Sequence, residues 1–115
     1  MSSIRAKEVM VKTIPLYKIA HARTGDKGNR SNISVIAYRL EDFELLQKEL
    51  TTERVKAHFE FRNPSAVKRY ELPNLMAFNF VIDDVLEGGV NLSLNLDSHG
   101  KSISYWLLAM EINVE

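Results

Sequence analysis

His21-Ala-Arg-Thr-Gly-Asp-Lys-Gly-Asn-Arg-Ser-Asn32, followed directly by Ile33-Ser-Val-Ile-Ala-Tyr38, is the stretch whose reading decides the fold. Its first part packs charge, glycine and amide side chains together, with no apolar residue larger than alanine. Its second part is largely apolar and has two readings. Ile33, Val35 and Ala37 alternate as in a strand, whereas Ile33, Ile36, Ala37 and Leu40 fit a helical face capped by Ser31 or Asn32. The β-branched content and short apolar length favour the strand. A helix would aim its N-terminus into the polar stretch, so the choice fixes what that stretch can do.

Upstream, Ile14-Pro-Leu-Tyr-Lys-Ile-Ala20 reads as a strand opened by Pro15, where a missing N–H does least harm. His21 then falls at the strand end, and Arg23 to Ser31 reads as a loop. Residues 1–12 carry Arg5, Lys7, Glu8 and Lys12 without a period and read as a flexible arm. Downstream, Glu41 to Leu50 has the stripe Phe43, Leu46 and Leu50 of an amphipathic helix. Thr51 and Thr52 break it and cap a second helix, Glu53 to Phe59, ended by Asn63-Pro-Ser65. Ala66 to Leu72 reads as a strand.

Leu75 to Leu86 reads as a helix behind an Asn74 N-cap, with Leu75, Phe78, Ile82, Val85 and Leu86 on one face and Gly88-Gly89 as its stop. Phe80 and Val81 keep a strand open as the alternative. Asn91 to Leu96 alternates cleanly, and Asp97-Ser-His-Gly-Lys101 reads as a hairpin turn. Ile103 to Val114 returns as a strand or a helix-to-strand segment. Interleaved strands and helices with antiparallel hairpins make an α+β two-layer sandwich, a mostly antiparallel sheet with helices on one face. Leu46, Val55, Phe59, Phe78, Leu94 and Trp106 are its expected core. The other sheet face is expected to be free, with Tyr17, Ile19 and Tyr105 as candidates to populate it and to associate.

At 115 residues the chain is read as one domain. Fifteen Lys and Arg balance fifteen Asp and Glu. That balance argues against nucleic acid as a partner, because phosphate binding needs a cationic face. The chain has no cysteine, which excludes disulfides and thiolate metal sites and points to a reducing cytoplasm. No apolar run approaches membrane-span length, and no metal ligands stand at a convincing spacing.

The polar stretch offers the chemistry of anion binding. Arg23, Lys27 and Arg30 supply cations, Asn29 and Asn32 amides, and Asp26 a carboxylate, while Gly25 and Gly28 let a ligand approach the backbone. The alternative is a plain hairpin with Asp26-Lys-Gly28 as its turn. His21 is either a general acid or base or a strand-end histidine bonded to Asp26. His58 and His99 read as surface residues, and Asp83-Asp84 as a solvated helix end. Asn79 interrupts an apolar surface and needs hydrogen-bond partners if buried.

Several stretches resemble one family. They are His21-Ala-Arg-Thr-Gly-Asp-Lys-Gly-Asn29, Asn32-Ile33, Leu50-Thr-Thr-Glu-Arg-Val-Lys-Ala-His-Phe59, Arg69-Tyr-Glu-Leu-Pro-Asn-Leu75, Phe78-Asn-Phe-Val81 and Leu96-Asp-Ser-His-Gly-Lys101, with Met110-Glu-Ile112. Together they resemble the C-terminal ferredoxin-fold domain of the acyclic terpene utilisation protein AtuA, over residues 14–114. The resemblance implies a ferredoxin-like fold, either following a larger domain or as a separate short polypeptide. It also implies a setting among enzymes of branched or terpenoid acyl-CoA thioesters. Two functions are expected. One is an accessory subunit that lends His21, Arg23, Gly25, Asp26, Lys27, Gly28, Asn29 and Asn32 to an acyl-CoA or carboxylate site of a large AtuA-like partner. The other is a self-standing small-molecule binding protein or enzyme, homodimeric through its sheet. The resemblance assigns no catalytic residue and no cofactor.

Overall fold

A computed structural model describes residues 12–27, 30–83 and 101–114. Four strands form the main sheet: β2 (Ala20–Lys27), β3 (Arg30–Ala37), β4 (Ala66–Leu72) and β5 (Ala77–Asp83). Their order is β2-β3-β5-β4, and every neighbouring pair is antiparallel. Helices α1 (Leu40–Glu49), α2 (Thr52–His58) and α3 (Lys101–Leu108) supply the second layer. Short strands β1 (Thr13–Pro15) and β6 (Glu111–Asn113) pair separately, with Ile14 opposite Ile112. The chain is thus an α+β two-layer sandwich.

The core lies between the helices and one face of the sheet. Ile33, Val35 and Ala37 of β3 and Phe78, Phe80 and Ile82 of β5 are buried there with Phe43, Leu46, Val55, Phe59, Ile103 and Leu107 of the helical layer and its turns. The strict alternation in β3 is what puts Ile33, Val35 and Ala37 inside and Asn32 and Ser34 outside. The strand reading of 33–38 therefore holds.

The helices begin and end for local reasons. Glu41 and Asp42 place negative charge in the first turn of α1, where the dipole favours it. Thr51 caps α2, its Oγ1 accepting from the Arg54 N–H at 3.1 Å. Arg69 of β4 closes the far end of α1 by donating from Nη1 to the carbonyls of Leu50 (2.9 Å) and Gln47 (3.2 Å). A cation on those otherwise unpaired carbonyls ties the helical layer to the sheet.

Four expectations are corrected. The strand expected over 14–20 is broken after Pro15 by a 3-10 turn, Leu16–Lys18, because the Leu16 N–H is drawn to the Met110 carbonyl at 2.8 Å. The loop expected over Arg23 to Ser31 is instead strand on both sides, with Lys27 opposite Arg30. Polar composition did not prevent pairing, because one face of this hairpin is left outside the core. The helix expected over 75–86 is replaced by β5 within the described residues. Met76, at a φ of 52°, and the 3-10 turn Pro73–Leu75 reverse the chain so that Leu72 pairs with Ala77. Phe78, Phe80 and Ile82 then point inward at period two. Finally, Trp106 is 37% exposed rather than core.

Residues 103–114 take the helix-to-strand alternative, and Lys101, expected in a turn, begins α3. The arm 1–11, Asp84, Gly88-Gly89, the strand 91–96 with Leu94, and the turn 97–100 with His99 lie outside the described residues.

Candidate functional site

No described element lies over the second face of the four-stranded sheet, and its residues are fixed by register. Rows run across it from β2 through β3 and β5 to β4. The first row is Lys27, Arg30, Asp83 and Ala66; the second is Gly25, Asn32, Val81 and Lys68. The third is Arg23, Ser34, Asn79 and Tyr70; the fourth is His21, Ile36, Ala77 and Leu72. Side chains two apart on a strand share a face, so the pairing of β2 with β3 brings His21, Arg23, Gly25 and Asn32 together. Asp26 stands instead in register with Ser31, which is fully buried on the core side. Gly28 and Asn29 lie outside the described residues.

The face is mainly cationic. Arg30 is tied down: its Nε donates to Asp83 Oδ1 at 2.6 Å and its Nη2 to Oδ2 at 3.4 Å. This hydrogen bond holds the Asp83 carboxyl below its ordinary value, with Lys68 adding to the effect. The expected helix-end pair Asp83-Asp84 is therefore, at Asp83, a strand-end partner of Arg30. Arg23 is exposed and has no acid partner among the described residues. A guanidinium without an acid partner there, beside a hydroxyl (Ser34) and in one row with an amide (Asn79), can receive a carboxylate or phosphate.

Two details of this face are not dictated by folding. Gly25 lies in extended strand, and a Cβ built there would meet nothing within 4 Å. Backbone geometry thus does not demand glycine, whereas close approach of another group would. Asn79 Oδ1 is buried with no hydrogen-bond partner among the described residues. A buried acceptor left unmet is costly, so this amide loses no bond at Oδ1 by turning toward a ligand.

His21 stacks on Tyr38, ring centroids 5.5 Å apart and 23° from parallel. Tyr17 and Tyr105, expected on the free face, instead stand exposed on the 3-10 turn and on α3, and Ile19 is core. Ser34, Asn79, Lys68 and Tyr70 are the residues that sequence reading missed as a site. Their signal was the polar half of the alternation in β3, β4 and β5, visible only once these segments are known to be adjacent strands.

His58, expected on the surface, is half-buried at a second cluster. Its Nε2 donates to the Trp106 carbonyl at 2.6 Å, and Trp106 Nε1 donates back to the His58 carbonyl at 2.7 Å. The rings stack at 4.6 Å, and Phe61 meets the indole edge-on at 5.2 Å. Burial lowers the His58 pKa despite that bond, and nearby Arg54 lowers it further.

Among the described residues no group of three or more His, Asp and Glu could hold a metal ion. No helix there is long and apolar enough to cross a membrane. A family described as the AtuA ferredoxin-like domain matches residues 14–113. No curated protein and no solved structure matches the chain.

Proposed function

The chain belongs to the AtuA ferredoxin-like domain family, and from that premise we propose that it is an accessory subunit of a large AtuA-like protein. In this reading it contributes its open sheet face to a site for an acyl-CoA or carboxylate in acyclic terpene or branched acyl-CoA metabolism. The observation that supports it is the register that aligns His21, Arg23, Gly25 and Asn32 on a face over which no described element lies, with no acid partner for Arg23 among the described residues. Lys27, in register with Arg30, continues that face by one row. Sites that enclose a small ligand are concave. A large partner laid over this sheet face would supply such a wall, which is the arrangement the accessory role requires.

The test is co-expression with a large AtuA-family protein, followed by calorimetry with an acyl-CoA, free CoA and simple carboxylates. The complex of the wild type should bind an acyl-CoA or carboxylate, and the Arg23→Gln complex should bind it about tenfold or more weakly, as expected for loss of a charge-assisted contact. Failure of the two chains to associate would refute the accessory role. Equal affinities for wild type and variant would remove Arg23 from the site.

A further inference from the structure

Large apolar side chains that the fold leaves exposed gather at one end of the sheet. Tyr38, Leu40, Leu72 and Leu75 stand where β3 and β4 end and β5 begins, and Leu75 is 64% exposed. The Ala37 N–H donates to the Met76 carbonyl at 2.8 Å, so the chain leaving β3 at Tyr38 runs beside the turn that carries Leu75. Leu72 pairs with Ala77, the residue after Met76. Leu40 opens α1 one turn before Phe43, whose ring stacks on Phe78 at 4.9 Å. Scattered exposed apolar residues are ordinary, but a contiguous group of them marks a surface that association covers.

We propose that this end of the sheet seats a second copy of the chain in a two-fold dimer. The inference is independent of any ligand on the sheet face. A two-fold contact lays one surface against itself, so it accepts balanced charge and rejects unbalanced charge. Around the patch Arg39 is answered by Glu41 and Asp42, each at 3.3 Å, and Glu71 by Arg69 at 2.7 Å. The open sheet face is the opposite case. Arg23 and Lys68 form no salt bridge among the described residues, and a second copy would meet them with the same cations. Four large side chains about half exposed offer roughly 300–400 Å² of apolar surface. With exposed Arg39, Glu41, Pro73 and Asn74 as a polar rim, each copy approaches the roughly 800 Å² that a specific pair buries.

Sedimentation velocity on the chain alone, from about 1 to 200 µM, spans the affinities expected of a contact of that area. A monomer–dimer equilibrium should appear, and salt should change its constant less than about threefold, because the contact is apolar and its charges are paired. Leu75→Asp should weaken the dimer about tenfold or more, since each copy then carries an unpaired charge into the contact. Leu40→Asp combined with Leu75→Asp should leave a monomer throughout. Tyr105→Asp, at an exposed position on α3, should leave the dimer intact. All three positions are exposed, so unchanged melting of the variants certifies their fold. A wild-type monomer at every concentration overturns the proposal, as does a dimer that survives the double substitution. A dimer lost in Tyr105→Asp and kept in Leu75→Asp overturns it by moving the contact to α3. If the wild-type chain alone is monomeric and Leu75→Asp abolishes its association with a large AtuA-family protein, the patch belongs to that partner and the second copy is refuted.

Discussion

Gly25 separates what the fold requires from what a ligand would. Its backbone is ordinary strand, and an added side chain would enter open space. Gly25→Thr should therefore raise stability, by up to about 1 kcal/mol, since glycine in a strand interior wastes conformational entropy. The same change should weaken any ligand that lies against the sheet between Arg23 and Asn32. Denaturation midpoints and calorimetry on the one variant would show both; lower stability would mean that glycine serves the fold after all. His58 offers a second test at this scale. Its pKa is lowered from the ordinary 6.5, chiefly by burial, so the folded state prefers the neutral ring. That preference contributes its full stability above about pH 6.5 and is lost as pH falls through the lower, folded value. Trp106 is the chain's one tryptophan and stacks on this ring. Its emission should step as the imidazole protonates, with a midpoint below 6.5, and His58→Gln should erase the step. A midpoint above the ordinary value would contradict the burial argument.

Among the elements, β4 does more than close the sheet. Arg69 reaches from it to the end of α1, donates to the carbonyls of Gln47 and Leu50, pairs with Glu71 at 2.7 Å and lies over the Phe78 ring. Arg69→Ala would leave helix-end carbonyls and Glu71 without that cation. A cost of roughly 1.5–3 kcal/mol is expected, as for hydrogen bonds to a charged group, read as a lower urea midpoint with unchanged slope. A loss below about 0.5 kcal/mol would place this contact with ordinary surface changes. Truncating Leu46 of α1, fully buried in the core, should cost about 2–5 kcal/mol by the same measurement. The sequence showed α1, α2 and β4 plainly. Each has a period or cap of its own: the stripe of Phe43, Leu46 and Leu50, the Thr51 cap, and a short run closed by Pro73.

For the whole molecule, the sheet face over which no described element lies is where assembly can be tested. Two copies laid sheet to sheet would bring Arg23 and Lys68 toward the same cations of the other copy. Such a dimer should be weak at low salt and tighten as salt screens the repulsion. A complex with a partner that presents acids to this face should loosen instead. Sedimentation velocity at about 50 and 500 mM salt, where the screening length shortens several-fold, distinguishes the two for the chain alone and with a large AtuA-family protein. Self-association that strengthens at low salt would show that copies meet through another surface.

By itself the sequence determined the α+β class, the helical pair after residue 40 and the polar group that marks the face, and it favoured a strand over a helix at 33–38. These follow from patterns spanning a few residues, such as Ile33, Val35 and Ala37 at period two. Tertiary structure alone decided that Arg23 to Lys27 is strand rather than loop, and that Ala77 to Asp83 is strand rather than helix. Phe78 and Ile82 satisfy a helical spacing of four and a strand spacing of two equally well. Only hydrogen-bonding partners on both sides, β3 and β4, make the strand the better solution. The same long-range pairing placed Ser34 beside Arg23 and Asn79 beside Ser34. Their adjacency is a property of register, and register is set by which strands meet rather than by any residue's own neighbours in the chain.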